Sequence, residues 1–368
     1  MFRGKDWPRI RTSEFRGLHN GEIMRVATFT IVCLFFALPP VSDVDRSGWS
    51  REKNAASPTD EENRRRSLES VVKLDDHPLY RMTYFGDYSI ADPPAPSDGS
   101  DATDGKYACT LFAAMGNRDQ PLLGRNFDWQ PNPAMVLFTD TSSGFATVTM
   151  VDISYLGFEK DDPDFDTLEG RSALLRAPLI PFDGLNEKGL FVGMAAVEDT
   201  AIPFDESRPT IGSLRIIRLI LDQCSTVEEA VQVFERHNVD FSGGPNIHYL
   251  IADSTGKSAL VELYEGELRV SYSELPWQAA TNFYFAPNRD EATRICDRFR
   301  RVMQTLEAAG GAITVPRALD LLNEVAQPNT RWSCVYDAKQ AELNLVMSRN
   351  FAQPLNLKLA DHRPTDGK

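Results

Sequence analysis

A thiol, a guanidinium and a carboxylate brought together can carry out nucleophilic chemistry, and one stretch of this chain supplies all three. Residues 108–129 read A-C-T-L-F-A-A-M-G-N-R-D-Q-P-L-L-G-R-N-F-D-W. Two apolar runs, Cys109–Met115 and Leu122–Trp129, flank the polar group Gly116–Pro121, which is the pattern of two strands joined by a turn. A turn centred between Arg118 and Asp119 sets Cys109 opposite Asp128 and Phe112 opposite Arg125. A cysteine is nucleophilic as its thiolate, which nearby positive charge favours. The thiol also needs a base, and residues 108–129 contain no histidine. The base is either a distant histidine or the α-amine of Cys109 itself, whose ordinary pKa of about 8 suits neutral pH. That amine exists only if the chain is cut after Ala108. Arg125 and Asp128 are an odd number of residues apart and face opposite sides of a regular strand, so a bulge near Asn126 or strong twist is needed to bring both into one site.

Cys109-Thr110 followed by Gly124-Arg125-Asn126-Phe127-Asp128-Trp129 resembles the N-terminal-nucleophile (Ntn) hydrolases that cleave linear amide C–N bonds. These include choloylglycine hydrolases, penicillin V acylases and isopenicillin-N acyltransferase-like proteins. The resemblance continues, in the family's order, through Phe182–Leu190, Asn246–Asp253, Thr281-Asn282 and Trp332–Asp337. It implies an α+β fold, a four-layer αββα sandwich with two antiparallel sheets. It also implies cleavage of the Ala108–Cys109 bond by the chain's own thiol. Cys109 would then attack a linear amide while its α-amine shuttles the proton. Asp128 would orient the amine, Arg125 would bias the thiolate or hold substrate, Asn282 would stabilise the oxyanion, and Arg298 would be the second active-site arginine. Bile-salt and penicillin acylases place an asparagine at the end of the strand over 190–196. Here Ala195 or Ala196 stands there, so a backbone N–H would take the side chain's place.

The 368 residues are 42% hydrophobic and 25% charged, enough for a full core in one large domain or two. A net charge of −14 argues against a nucleic-acid partner, since no basic stripe is present to neutralise phosphates. The five cysteines show no C-x-x-C spacing and the five histidines are scattered, so neither a metal nor another cofactor is expected. The expected partner is a small-molecule amide, with oligomeric state left open.

Residues 26–40 carry no charge and follow a polar, net positive start, which gives the length and layout of a signal-peptide core rather than a spanning helix. Residues 1–42 therefore read as a signal peptide or short membrane anchor, with export to the periplasm or the exterior. Residues 43–108 read as a linker and pro-segment removed on maturation, mobile to about Arg66 and again over Ala91–Gly105, with a short helix over Ser67–Leu74 and a strand or ordered pro-segment over Tyr80–Tyr88. Residues 109–368 form the hydrolase domain.

Within that domain, Ala134–Thr139 and Phe145–Val151 read as a hairpin, and Asp183-Gly184 as a turn before the strand Leu190–Ala196. Gly212–Cys224 has helical periodicity, and Ser225–Glu228 resembles a capping box opening a second helix. Ile247–Asp253, Ser258–Tyr264 and Glu267–Tyr272 form a meander. His248 lies on its first strand, either as a structural group or as the base of a Cys–His pair. Trp277–Ala280 is a strand leading into Asn282. Asp290–Leu306 reads as one amphipathic helix on which Arg298, about 80° from the apolar face at about 100° per residue, is the arginine placed to reach inward. Trp332–Asp337 and Glu342–Met347 make a last hairpin, with Cys334 in the core and a fraying tail after Ala360. Loops 159–174 and 201–210 are expected to set specificity.

Overall fold

A computed structural model describes residues 58–89, 108–159 and 163–363. The apolar run 26–40 and the loop 91–105 lie outside the described residues. Among those described, no helix is long and apolar enough to cross a membrane.

Two sheets are stacked face to face. The larger contains β1 (Val72–Asp75), β2 (Leu79–Tyr84), β5 (Ala134–Thr139), β6 (Thr147–Asp152), β7 (Asp183–Asn186), β8 (Phe191–Ala196), β11 (Ile247–Ala252), β12 (Ser258–Tyr264) and β13 (Glu267–Tyr272), neighbours in that order. The smaller runs β14 (Trp277–Ala280), β3 (Thr110–Ala114), β4 (Leu122–Asp128), β15 (Thr330–Asp337), β16 (Glu342–Met347) and β17 (Leu355–Lys358). A two-stranded ribbon, β9 (Thr210–Gly212) with β10 (Asn238–Asp240), stands apart from both. Helices α2 (Arg215–Gln223) and α3 (Val227–Arg236) cover the larger sheet. The smaller sheet is covered by α6 (Asp297–Ala308) and α7 (Val315–Glu324), preceded by the short turns α4 (Phe285–Asn288) and α5 (Ala292–Ile295). The expected αββα layering is present. The larger sheet is mixed rather than purely antiparallel, because β2 pairs parallel with β5.

Sequence pattern explains the layers. Every residue of β3 and β4 is buried, as central strands covered on both faces must be. On α2, Ile216, Ile217, Ile220 and Leu221 recur at helical spacing and are buried. Helix α3 opens on a capping box, but its residues are Thr226 and Glu229, one position beyond the pair read from sequence. Helix α7, unread in the sequence, starts at the Thr314 cap with Pro316 in its first turn. The single helix expected over 290–306 is broken at Cys296, which is extended, so Arg298 falls in the first turn of α6.

The segment before Cys109 is more structured than its composition suggests. Helix α1 (Pro58–Glu69) begins inside the stretch read as mobile linker. Strand β2 runs beside β5 for six residues, with Leu79 and Met82 wholly buried. Tyr88 donates to the Asp222 carboxylate on α2 at 2.9 Å. The C-terminal tail is also anchored: the His362 ring packs on Phe138 with centroids 4.4 Å apart.

Asp183-Gly184, read as a turn, lies inside β7, and the turn falls at Gly189, where φ is 80°. Gly184 serves close approach, since a Cβ there would lie 2.5 Å from Thr149 Cγ2 and 2.8 Å from the Val148 carbonyl. Gly184→Ala is expected to cost about 1–3 kcal/mol by overpacking, read from urea unfolding followed by circular dichroism; an unchanged midpoint would refute this role.

Candidate active site

The hairpin that carries the candidate nucleophile pairs one residue out of the register read from sequence. Thr110 faces Asn126, Leu111 faces Arg125 and Ala114 faces Leu122, so the loop is centred on Arg118. The cause is tertiary: Met115 N–H bonds the Pro276 carbonyl at 2.8 Å and Gly116 N–H bonds the Gly311 carbonyl at 2.9 Å, which draws the first strand onward. Cys109 is therefore not opposite Asp128, nor Phe112 opposite Arg125. One residue of slip exchanges faces. Leu111 and Arg125 share the face between the sheets, and by alternation Cys109 and Phe127 do too.

Arg125 is fully buried on that face. Its Nη1 donates to Asp183 Oδ2 at 2.5 Å and to the Phe182 carbonyl at 2.6 Å, joining the smaller sheet to the larger. Tyr336 hydroxyl donates to the other Asp183 oxygen, and Trp332 Nε1 lies 3.5 Å from Oδ2. Burial would lower the guanidinium's pKa, but the charges of Asp183 and Cys109 outweigh it and hold it above its ordinary value. A fixed cation thus faces the Cys109 thiol. Asp183 was not legible as a site residue, because Asp-Gly reads as a turn.

Asp128 ends β4 on the other face, and the distortion expected near Asn126 lies instead in the partner strand, between Thr330 and Trp332. Thr330 Oγ1 donates to Asp128 Oδ1, while the buried Oδ2 has no partner among the described residues. Burial pushes this carboxyl up to about 6, against the opposing pull of Thr330, Arg298 and Arg125.

Arg298 reaches inward as its helical position implied. Its Nη1 donates to the Ala108 carbonyl at 2.8 Å, to the Cys109 carbonyl and to Thr110 Oγ1 at 2.9 Å. Its Nη2 donates to Asn282 Oδ1 at 3.1 Å, and Asn282 Nδ2 donates to the Ala196 carbonyl at 2.8 Å. The ladder to β11 separates the two alanines. Val197 N–H bonds Asn246 there, so the Ala195 amide points the same way and is consumed in pairing with His248, while that of Ala196 points to the side where β7 has ended. Ala196, not Ala195, lines the cavity beside Cys109.

That cavity holds about 780 Å³. Phe127, Trp129, Phe182 and Met194 wall it near Cys109, and the β9–β10 ribbon with residues 242–245 forms the other side. Pro209 and Thr210 contribute from the second loop expected to govern specificity, whereas no described residue of 159–174 lines it. His248 is absent from the lining and faces Glu262 Oε1 at 3.2 Å. This gives it a partner other than the thiol. Among the described residues no cluster of ligands suited to a metal occurs.

The sequence model of the family acyl-coenzyme A:6-aminopenicillanic acid acyl-transferase matches residues 181–359. A penicillin V acylase from Pectobacterium atrosepticum is 24% identical over 193 residues, covering 48% of this chain and 49% of that protein, so the match spans about half the length of its curated relative. Two mutant forms of a conjugated bile acid hydrolase from Clostridium perfringens superpose with TM-scores of 0.54 and 0.53 at 17% and 16% identity, each over 69% of this chain and 93% of theirs. The fold is that of the Ntn hydrolases. The resemblance read from the motifs, to the penicillin V acylase and choloylglycine hydrolase family, is upheld.

The raised Asp128 pKa gives a signed expectation. Its proton is held more tightly folded than unfolded, so the carboxylate penalises folding above about pH 6, and the penalty fades as pH falls toward the ordinary value near 4. Asp128→Asn should raise the unfolding midpoint of the uncut chain at pH 7.5, a gain of about 2–3 kcal/mol, and leave it unchanged at pH 4. An equal shift at both pH values would contradict the assignment.

Proposed function

We propose that the chain hydrolyses a non-peptide linear amide, of the N-acyl amine or N-acyl amino acid type, through an acyl-enzyme on Cys109 exposed by cleavage after Ala108. The observation that carries this reading is the grip of Arg298 on the Ala108 carbonyl while Cys109 faces an apolar cavity. In processing, Cys109 Sγ attacks the Ala108 carbonyl carbon and Arg298 polarises its oxygen. The C–N bond breaks, the nitrogen takes a proton to become the Cys109 amine, and water then hydrolyses the thioester to free the Ala108 carboxylate. In turnover the thiol proton passes to the α-amine and on to the leaving amine as the acyl group moves to sulfur. Water adds to the thioester and Sγ departs as thiolate. Asn282 and the Ala196 N–H stand where the oxyanion develops, Asp128 Oδ2 holds the ammonium, and Arg125 favours the thiolate.

The same reading revises the fate of the pro-segment. Residues 58–89 supply a helix, two strands and the Tyr88–Asp222 bond, so we infer that they stay bound after cleavage instead of being released. Export through residues 1–42 belongs to this proposal. Acyl transfer to a second amine is the rival reading, favoured by the acyl-transferase family match, and differs only in what captures the thioester. A binding protein that keeps the fold without processing is the remaining alternative.

Intact-mass analysis and N-terminal sequencing of the purified chain, beside Cys109→Ala, test the proposal. The wild type should yield a fragment of 260 residues, from 109 to 368, and the variant should stay uncut. An uncut wild type refutes the α-amine base. Both fragments should co-elute on native size exclusion and separate only in denaturant; loss of the smaller would show release. Penicillin V and a panel of N-acyl amino acids, incubated with and without a competing amine, distinguish hydrolysis from transfer by product mass.

A further inference from the structure

Glu262, on β12, is wholly buried and takes no part in the chemistry above. Its two oxygens are used on the chain just beyond Asn282. Oε1 accepts the Phe285 N–H at 2.6 Å, and Oε2 accepts the Ala286 N–H at 2.7 Å. These are the first two residues of α4, and Tyr284, at its cap position, makes no capping bond with its own side chain. The Glu262 carboxylate fills that role from another strand. His248 Nδ1 lies 3.2 Å from Oε1, and His248 sits directly opposite Ala195 on β8. The pair thus touches the turn that carries Asn282 and adjoins the strand end that carries Ala196. Those are the two sources of donors assigned to the oxyanion.

We propose that Glu262, backed by His248, is a positioning residue that fixes the Asn282 turn against the end of β8, so that the Asn282 amide and the Ala196 N–H converge on one point. The inference rests on the hydrolase reading for its catalytic consequence, but the anchor itself is independent of it. Among the described residues the Asn282 side chain bonds the Ala196 carbonyl and Arg298, which leaves its second Nδ2 hydrogen for a substrate carbonyl but does not fix the backbone that follows it. The carboxylate bonds do not involve the substrate and persist. Glutamine at 262 keeps the shape but opposes an amide donor to a backbone donor, so one of the two bonds to α4 is lost.

Two measurements on the full chain test this. Hydrogen–deuterium exchange should show faster exchange over residues 281–290 in Glu262→Gln at an unchanged unfolding midpoint; unchanged exchange there overturns the anchor whatever the activity. With p-nitroanilides of straight-chain acids as probes, Glu262→Gln should lower kcat by about tenfold to a hundredfold, with KM within about twofold. Asn282→Ala should cost about a hundredfold or more, and adding Glu262→Gln to it should cost little further, because a displaced turn then carries no donor. Full additivity of the two losses, or an undiminished kcat in Glu262→Gln, would make the carboxylate merely structural. A wild type that turns over none of the probes, together with loosened exchange in the variant, counts against the hydrolase reading while upholding the anchor.

Discussion

The ion pair between Arg125 and Asp183 is the tie on which the rest of the molecule depends. It joins two sheets across a largely apolar interior, and an unpaired charge there would be costly enough to drive the layers apart or to admit water. Arg125 spends donors on Asp183 and on the Phe182 carbonyl, while Asp183 is braced by Tyr336 and Trp332. A guanidinium held by a carboxylate that is itself braced cannot follow a ligand. It presents a fixed positive field to Cys109, which favours a thiolate there.

Around that tie the remaining groups arrive from chain ends rather than element interiors. Cys109 precedes β3, Asp128 closes β4, Ala196 closes β8, Asn282 follows β14 and Arg298 opens α6. Strand ends free backbone groups from the ladder, which is why Ala196 can offer an amide that Ala195 cannot. Asp128 keeps strict alternation with Arg125 and lies on the opposite face of β4, where Thr330 and the charge of Arg298 meet it. The electrostatic balance is uneven: Arg125 faces the thiol with its charge met by Asp183, Arg298 holds the backbone carbonyls on either side of the Ala108–Cys109 bond, and the Asp128 carboxyl is pushed toward neutrality by burial.

Much of this was legible in the sequence, and the exceptions have physical causes. The hairpins after Ala134 and Trp332 and the meander after Ile247 stand where apolar, β-rich runs parted by polar turns put them, because such runs report strands buried on both faces. The inward reach of Arg298 followed from helical spacing even though the helix itself is broken. The first hairpin's register did not follow, since Pro276 and Gly311 set it from distant parts of the chain. Asp183 was hidden by its neighbour: glycine signals a turn, but Gly184 is there to let β7 approach β6 closely. The strand at β2 was legible near Tyr80–Tyr88, whereas helix α1 was hidden by context, because the charged, breaker-rich stretch up to Arg66 has the look of a linker.

The parallel pairing of β2 with β5 has a consequence for the order of events in the molecule's life. Parallel strands are distant in sequence, and closing them while the chain is continuous is an intramolecular search. A cut after Ala108 would turn the same closure into an encounter between two molecules, slowed by dilution. The uncut chain would then be the form able to assemble, and the cut form would hold its structure through the height of its unfolding barrier rather than through easy return. Breakage of one peptide bond would change nothing in the contacts and yet make the fold a thing acquired once.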